Sequence, residues 1–188
     1  MQFTIPPPGM AAILLTLVVV AAVYDIRYRR IPNWLTLAGV VVGIGLNIFL
    51  GWDSPQKWAG LFFALKGLGF GFILYFGLFA LRAMGAGDVK LMAAVGSMVG
   101  WEDWFGIFLV TAVTGGVLAL LVSVLKKRLG KTFWNVSFIL SELKQGRPAY
   151  VQREELDVKN PKSVGLPHGA VIAVGCVLFL ALSWHFAG

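Results

Sequence analysis

Gly85-Ala86-Gly87-Asp88-Val89-Lys90-Leu91 sets a carboxylate at the mouth of an apolar run that continues to about Trp101. From Val89 to Trp101 an α-helix extends about 20 Å at about 1.5 Å per residue, against a bilayer hydrocarbon core of about 30 Å. The helix must therefore begin before Asp88, which draws that acid below the membrane surface. Ionisable groups at such depth are costly and are by default candidates for function. A second acid, Asp25, closes the first apolar run of the chain.

Composition supports the membrane reading. With 58% hydrophobic and 13% charged residues in 188, and a mean hydropathy of +0.80, the chain reads as one integral membrane domain spanning 1–188. Cys176 is the sole cysteine, which excludes an intramolecular disulfide and any multi-cysteine zinc site. The 23 glycines suit helices whose backbones approach closely in lipid.

Six apolar segments of spanning or near-spanning length can be marked: Gly9 to Tyr24, Trp34 to Leu50, Ala59 to Leu81, the run after Asp88 to Trp101, Trp104 to Leu125, and Leu166 to Trp184. The fold class expected is an all-α membrane protein of six transmembrane helices. Lys66 is the one charge within the third segment, snorkelling or facing a polar interior. No basic region precedes the first segment, so it is expected to stay in the mature protein rather than act as a signal peptide. The Trp residues Trp34, Trp52, Trp58, Trp101, Trp104 and Trp184 suit interfacial belts.

Of the 16 Lys and Arg residues, all but Lys57 and Lys66 follow segments one, three or five, on one side of the membrane. The positive-inside rule makes that side cytoplasmic and puts both termini outside, with Asp53, Glu102 and Asp103 in the outer loops. The net charge of +7 is thus a topology and anionic-lipid signal rather than a nucleic-acid footprint. The one sizeable extramembrane part is a cytoplasmic loop at about 126–165, in which Thr132 to Leu143 can lie along the interface as a helix.

This orientation brings the two acids to one depth. Segment one descends to the cytoplasmic side and ends at Asp25, while segment four leaves that side at Asp88. Two carboxyls so placed are expected to share a proton, the arrangement in which one acid activates water and the other is protonated. Gly85 and Gly87 would let backbone or substrate approach Asp88 closely. Other chemistries have less support: His168 and His185 fall at opposite ends of segment six, against a Ser/His/Asp constellation or a histidine metal site. Depth and charge leave two classes of function open, an aspartic endopeptidase needing no metal or cofactor, and a proton-coupled transporter or channel using Asp25 and Asp88 as a relay.

Three blocks carry a resemblance: Asp25 followed by Ile31-Pro32-Asn33-Trp34-Leu35-Thr36, then Gly85 to Leu91, then Leu166-Pro167-His168-Gly169-Ala170. In this order and within six segments they resemble the prepilin peptidases, membrane aspartic proteases of the G-x-G-D class. That class also includes the archaeal preflagellin peptidases and, more distantly, the presenilins. The resemblance implies that Asp25 and Asp88 are the catalytic aspartates, that Gly85 and Gly87 shape the site, and that Pro167 and Gly169 form an element near the last helix. His168 departs from the aromatic residue more usual there. Implied too are prepilin or pseudopilin substrates, whose short basic leaders are cut at the cytoplasmic face of a prokaryotic inner membrane, usually after a glycine. Without a paired-cysteine domain the chain resembles the short, peptidase-only type found with Flp/Tad pili. Glu154, Glu155 and Asp157, clustered acids on the basic side, are candidate contacts for a basic leader.

Overall fold

The computed structural model describes residues 6–50, 58–81, 83–127 and 167–187, with isolated positions between 130 and 141. All regular structure among the described residues is α-helical: α1 (Pro8–Tyr28), α2 (Asn33–Leu50), α3 (Ala59–Ala80), α4 (Ala86–Leu125) and α5 (His168–Ala187). Each is long and apolar enough to cross a bilayer. Their outward faces are apolar as well, with Leu37 65%, Ile73 73% and Leu125 81% exposed, as lipid-facing positions must be in a protein whose surrounding solvent is hydrocarbon. The chain is therefore a multi-pass membrane protein. Glu154, Glu155 and Asp157, and nearly all of the 126–165 loop with its 132–143 stretch, lie outside the described residues.

α4 is the hub, packed against α3, α2 and α5, while α1 leans chiefly on α5. The N-terminal part of α4 is almost wholly buried, with Leu91, Met92, Ala94 and Val95 at 0% exposure. Close packing against α3 rests on glycine: a β-carbon on Gly67 would run into the Gly96 carbonyl oxygen, and one on Gly96 into that of Gly67. Only small residues permit backbones to meet in this way.

The fourth and fifth apolar segments prove to be one 40-residue helical element broken at Gly100, with no loop over Glu102 and Asp103. Gly100 has φ 76° and ψ 178°, a conformation that residues carrying a β-carbon rarely adopt. Beyond it the chain folds back. Trp104 Nε1 donates to the Met92 carbonyl at 2.9 Å, whereas in a straight helix those residues would stand about 18 Å apart along the axis. Trp104 is thus 0% exposed, stacked on Phe108 at 5.6 Å, and is no interfacial belt residue; Asp103, at 4% exposure, is likewise no outer-loop acid. Trp34, Trp58, Trp101 and Trp184 are exposed, as belt positions would be.

A helix break in lipid strands backbone carbonyls that water cannot reach. Asn47 of α2 supplies the missing donor, its Nδ2 lying 2.9 Å from the Ser97 carbonyl and 3.1 Å from that of Met98. Asn47→Leu keeps the side-chain volume but leaves these carbonyls unpartnered. It is expected to destabilise the detergent-solubilised protein by about 1–3 kcal/mol, the cost of an unmet buried acceptor, read from its denaturant unfolding midpoint.

Candidate active site

Asp25 and Asp88 arrive at one end of the bundle from opposite chain directions. Asp25 lies in the last turn of α1, which runs on to Tyr28 rather than stopping at Tyr24. The helix ends because Arg29 takes the left-handed conformation, φ 53° and ψ 32°, while its N–H donates to the Asp25 carbonyl. A short connector through Ile31 and Pro32 then leads into α2, with Tyr24 and Trp34 packed edge to face at 6.3 Å. Asp88 is the third residue of α4, and its Oδ2 reaches back to accept the Gly85 N–H at 3.1 Å. That bond is the reciprocal half of a capping box, and it places an acid where the helix dipole favours negative charge.

Asp25 has a comparable donor from far along the chain. Pro167 starts α5 by accepting the N–H groups of Ala170 and Val171, so the Gly169 N–H has no partner inside its own helix. It donates instead to Asp25 Oδ2 at 2.7 Å, across a sequence separation of 144 residues. Each carboxyl is thus held through Oδ2 by a backbone N–H at a helix start. The two side chains are buried to 8% and 7% exposure. They line one open recess of about 490 Å³, together with the connector from Arg29 to Asn33, the Gly85 to Gly87 turn and Lys90. His168, half-buried, precedes Gly169 at the start of α5, whereas His185 is exposed near the far end of that helix.

Two contacts in the recess have no counterpart in a reading of motifs. Ile31, only 9% exposed, abuts both glycine elements. A β-carbon on Gly87 would lie 3.2 Å from Ile31 Cβ, and one on Gly169 would lie 3.0 Å from Asp25 Cβ and 3.2 Å from Ile31 Cδ1. At the rim, Lys90 Nζ donates to Asn33 Oδ1 at 2.9 Å, tying the start of α2 to the first turn of α4. The only hint of either is that Ile31-Pro32-Asn33 follows Asp25 so closely. Gly85 has an ordinary extended backbone, and what its lack of a side chain preserves is space, since a β-carbon there would come within 3.3 Å of Asp88 Oδ2.

A membrane-embedded helical bundle that converges two carboxyls on one recess near its end defines a class of intramembrane acid pairs. The profile of the Type IV leader peptidase family matches residues 12–120, more than half of the chain. The chain belongs to that family. Among curated relatives it is 31% identical over 127 residues to the prepilin leader peptidase/N-methyltransferase of Myxococcus xanthus (strain DK1622), covering 64% of this chain and 36% of that protein. It is 32% identical over 135 residues to the protein of the same name from Pectobacterium carotovorum subsp. carotovorum, covering 64% and 45%. With its Escherichia coli (strain K12) counterpart it shares 27% over 129 residues, covering 67% and 56%. The matches thus span about half or less of the length of these relatives. No solved structure matches significantly. The family match ends before α5, so Gly169 joins the site on the strength of its hydrogen bond.

A methyl group at position 169 would press on Asp25 Cβ at 3.0 Å and Ile31 Cδ1 at 3.2 Å, so these neighbours must give way. Gly169→Ala is expected to cost about 1–3 kcal/mol through overpacking. Gly69→Ala, inside α3 where no atom lies within 4 Å of the added carbon, serves as the unstrained control in the same unfolding assay and is expected to be unchanged or up to about 1 kcal/mol more stable.

Proposed function

We propose that this protein is a membrane aspartic endopeptidase that removes the short basic leaders of prepilins or pseudopilins, with Asp25 and Asp88 as its catalytic pair. The observation that carries the reading is the convergence of these two buried carboxyls on one recess; the family membership and the names of the relatives support it. In this chemistry one acid is ionised and the other protonated. The ionised acid takes a proton from water as the water oxygen bonds to the scissile carbonyl carbon, and the protonated acid hydrogen-bonds the carbonyl oxygen. When the C–N bond breaks, a proton passes to the departing amine, giving a free carboxylate on the leader and a new N-terminus on the pilin. The Gly169 and Gly85 N–H groups hold the Oδ2 atoms, leaving Oδ1 of each acid for these transfers. The absence of methyltransferase activity is part of the same proposal, as is cleavage after glycine.

The proposed topology has six passages, the two limbs of α4 counting separately with Gly100 at the outer turn. The recess then faces the cytoplasm of a prokaryotic cell, both termini lie outside, and Arg27, Arg29, Arg30 and Lys90 fall on the side that basic residues favour. Leaders approaching from the cytoplasm would meet the acids directly. Glu154, Glu155 and Asp157 are proposed, at lower rank than the dyad, as acids available to a basic leader.

Asp25→Asn and Asp88→Asn each keep the side-chain shape and remove the acid. Each purified variant is expected to lose at least about a hundredfold in leader cleavage, the low end of what a general acid or base supplies, while inserting and unfolding like the wild type. Near-normal processing by either one rejects the pair. For topology, a reporter fused after Gly188 is expected to be active only when it requires the extracytoplasmic side. Activity of a strictly cytoplasmic reporter at that position overturns the six-passage arrangement.

A further inference from the structure

We propose that Tyr75 is a positioning residue for Asp88, its hydroxyl hydrogen-bonding that carboxyl, directly or across one water, from the side of α3. The inference rests on the peptidase reading above and adds a residue that the recess does not reveal, since no described residue of α3 lines it. α3 and α4 run antiparallel in a register fixed by close contacts. Gly67 meets Gly96, and a β-carbon on Gly71 would come to 2.7 Å from the Met92 carbonyl oxygen. Four residues forward along α3, from 67 to 71, thus match four residues back along α4, from 96 to 92. The same step taken once more pairs Tyr75 with Asp88.

Tyr75 shares a face with those glycines. The buried residues of α3 are Ala64, Gly67, Gly71 and Tyr75, one stripe at helical spacing. Three of them are small and let the backbones close up; the fourth is a tyrosine only 1% exposed. Its ring stands edge-on to Trp104 at 5.9 Å and to Phe108 at 6.1 Å, and Trp104 is itself tied to the Met92 carbonyl. The ring is thus held in place by the second limb of α4. Phenylalanine would make the same ring contacts, so packing does not account for the hydroxyl. A buried hydroxyl without a partner costs stability, and this one has no hydrogen bond among the described residues. Level with it stands the Asp88 carboxyl, whose Oδ2 is held by the Gly85 N–H. A phenol both donates and accepts, so it serves that carboxyl ionised or protonated. Held by Gly85 from its own helix start and by Tyr75 from α3, the acid keeps its aim into the recess while protons pass.

The test uses the whole detergent-solubilised chain and a synthetic prepilin-type peptide, a basic leader ending in glycine followed by an apolar segment. Tyr75→Phe removes the hydroxyl and keeps the ring. It is expected to lower kcat at least about tenfold, the scale of one hydrogen bond to a charged group, with KM within about twofold and an unfolding midpoint no lower than that of the wild type. Phe108→Leu is the packing control: it loosens the same ring cluster, lowers the midpoint and is expected to leave kcat within about threefold. Unchanged kcat in Tyr75→Phe overturns the proposal, as does a rise in KM alone, which would put the hydroxyl on the substrate instead. A fall in kcat that Phe108→Leu matches, or that comes with a lower midpoint, also overturns it, because ring packing then suffices. Each of these outcomes leaves the peptidase reading intact. A wild-type protein that cleaves no such peptide overturns that reading, and the inference with it.

Discussion

A carboxyl drawn into an apolar bundle must find hydrogen-bond donors in the chain itself, because the bilayer offers none. Here the donors are backbone N–H groups at helix starts, which are unpaired by the geometry of the helix and sit at its positive end. α4 gives Asp88 the N–H of Gly85, and α5 gives Asp25 that of Gly169. The arrangement demands that two helices begin, and a third end, at the same level of the membrane. Chain direction supplies this, since α1 ends where α4 and α5 begin. The recess follows from the convergence rather than from any one motif.

The break within α4 meets the same constraint in reverse. Where Gly100 breaks the helix, acceptors rather than donors are stranded, and a side-chain amide from α2 meets them. The limb before Gly100 is therefore satisfied at its far end by a side chain from α2, at its start by the bond between its own Asp88 and Gly85, and in its middle by apolar packing. That limb carries Asp88 at its N-terminal end. The precision with which it is clamped, by Asn47 at the far end and by the Gly67 and Gly96 contact along its length, bears directly on where the acid sits.

Much of this is legible in sequence because run length and charge bias are properties of single segments. The apolar helices, the burial of Asp88 in the first turn of its helix and the meeting of the two acids at one end of the bundle all follow from counting residues and charges. What is not legible depends on partners distant in the chain. Asp103 and Trp104 read as an outer loop and a belt residue, since acids and indoles at segment ends usually face water. Only the fold-back at Gly100 buries them, and only there does the Trp104 N–H find the Met92 carbonyl. Asn47 gives no sign of the carbonyls it serves, which lie 50 and 51 positions away. Ile31 is one more apolar residue until Gly87 and Gly169 are brought against it. Pro167 and Gly169 were legible as an element only through resemblance, and the physical content, a free N–H at a helix start, comes from the structure.

The bond between Gly169 and Asp25 also bears on the order of assembly. Asp25 belongs to α1 and its donor to α5, so three helices are made between them. Until α5 has entered the membrane, the Asp25 carboxyl lacks that N–H and Ile31 lacks one of its neighbours. The surroundings of Asp25 are thus completed only once α5 has joined the bundle.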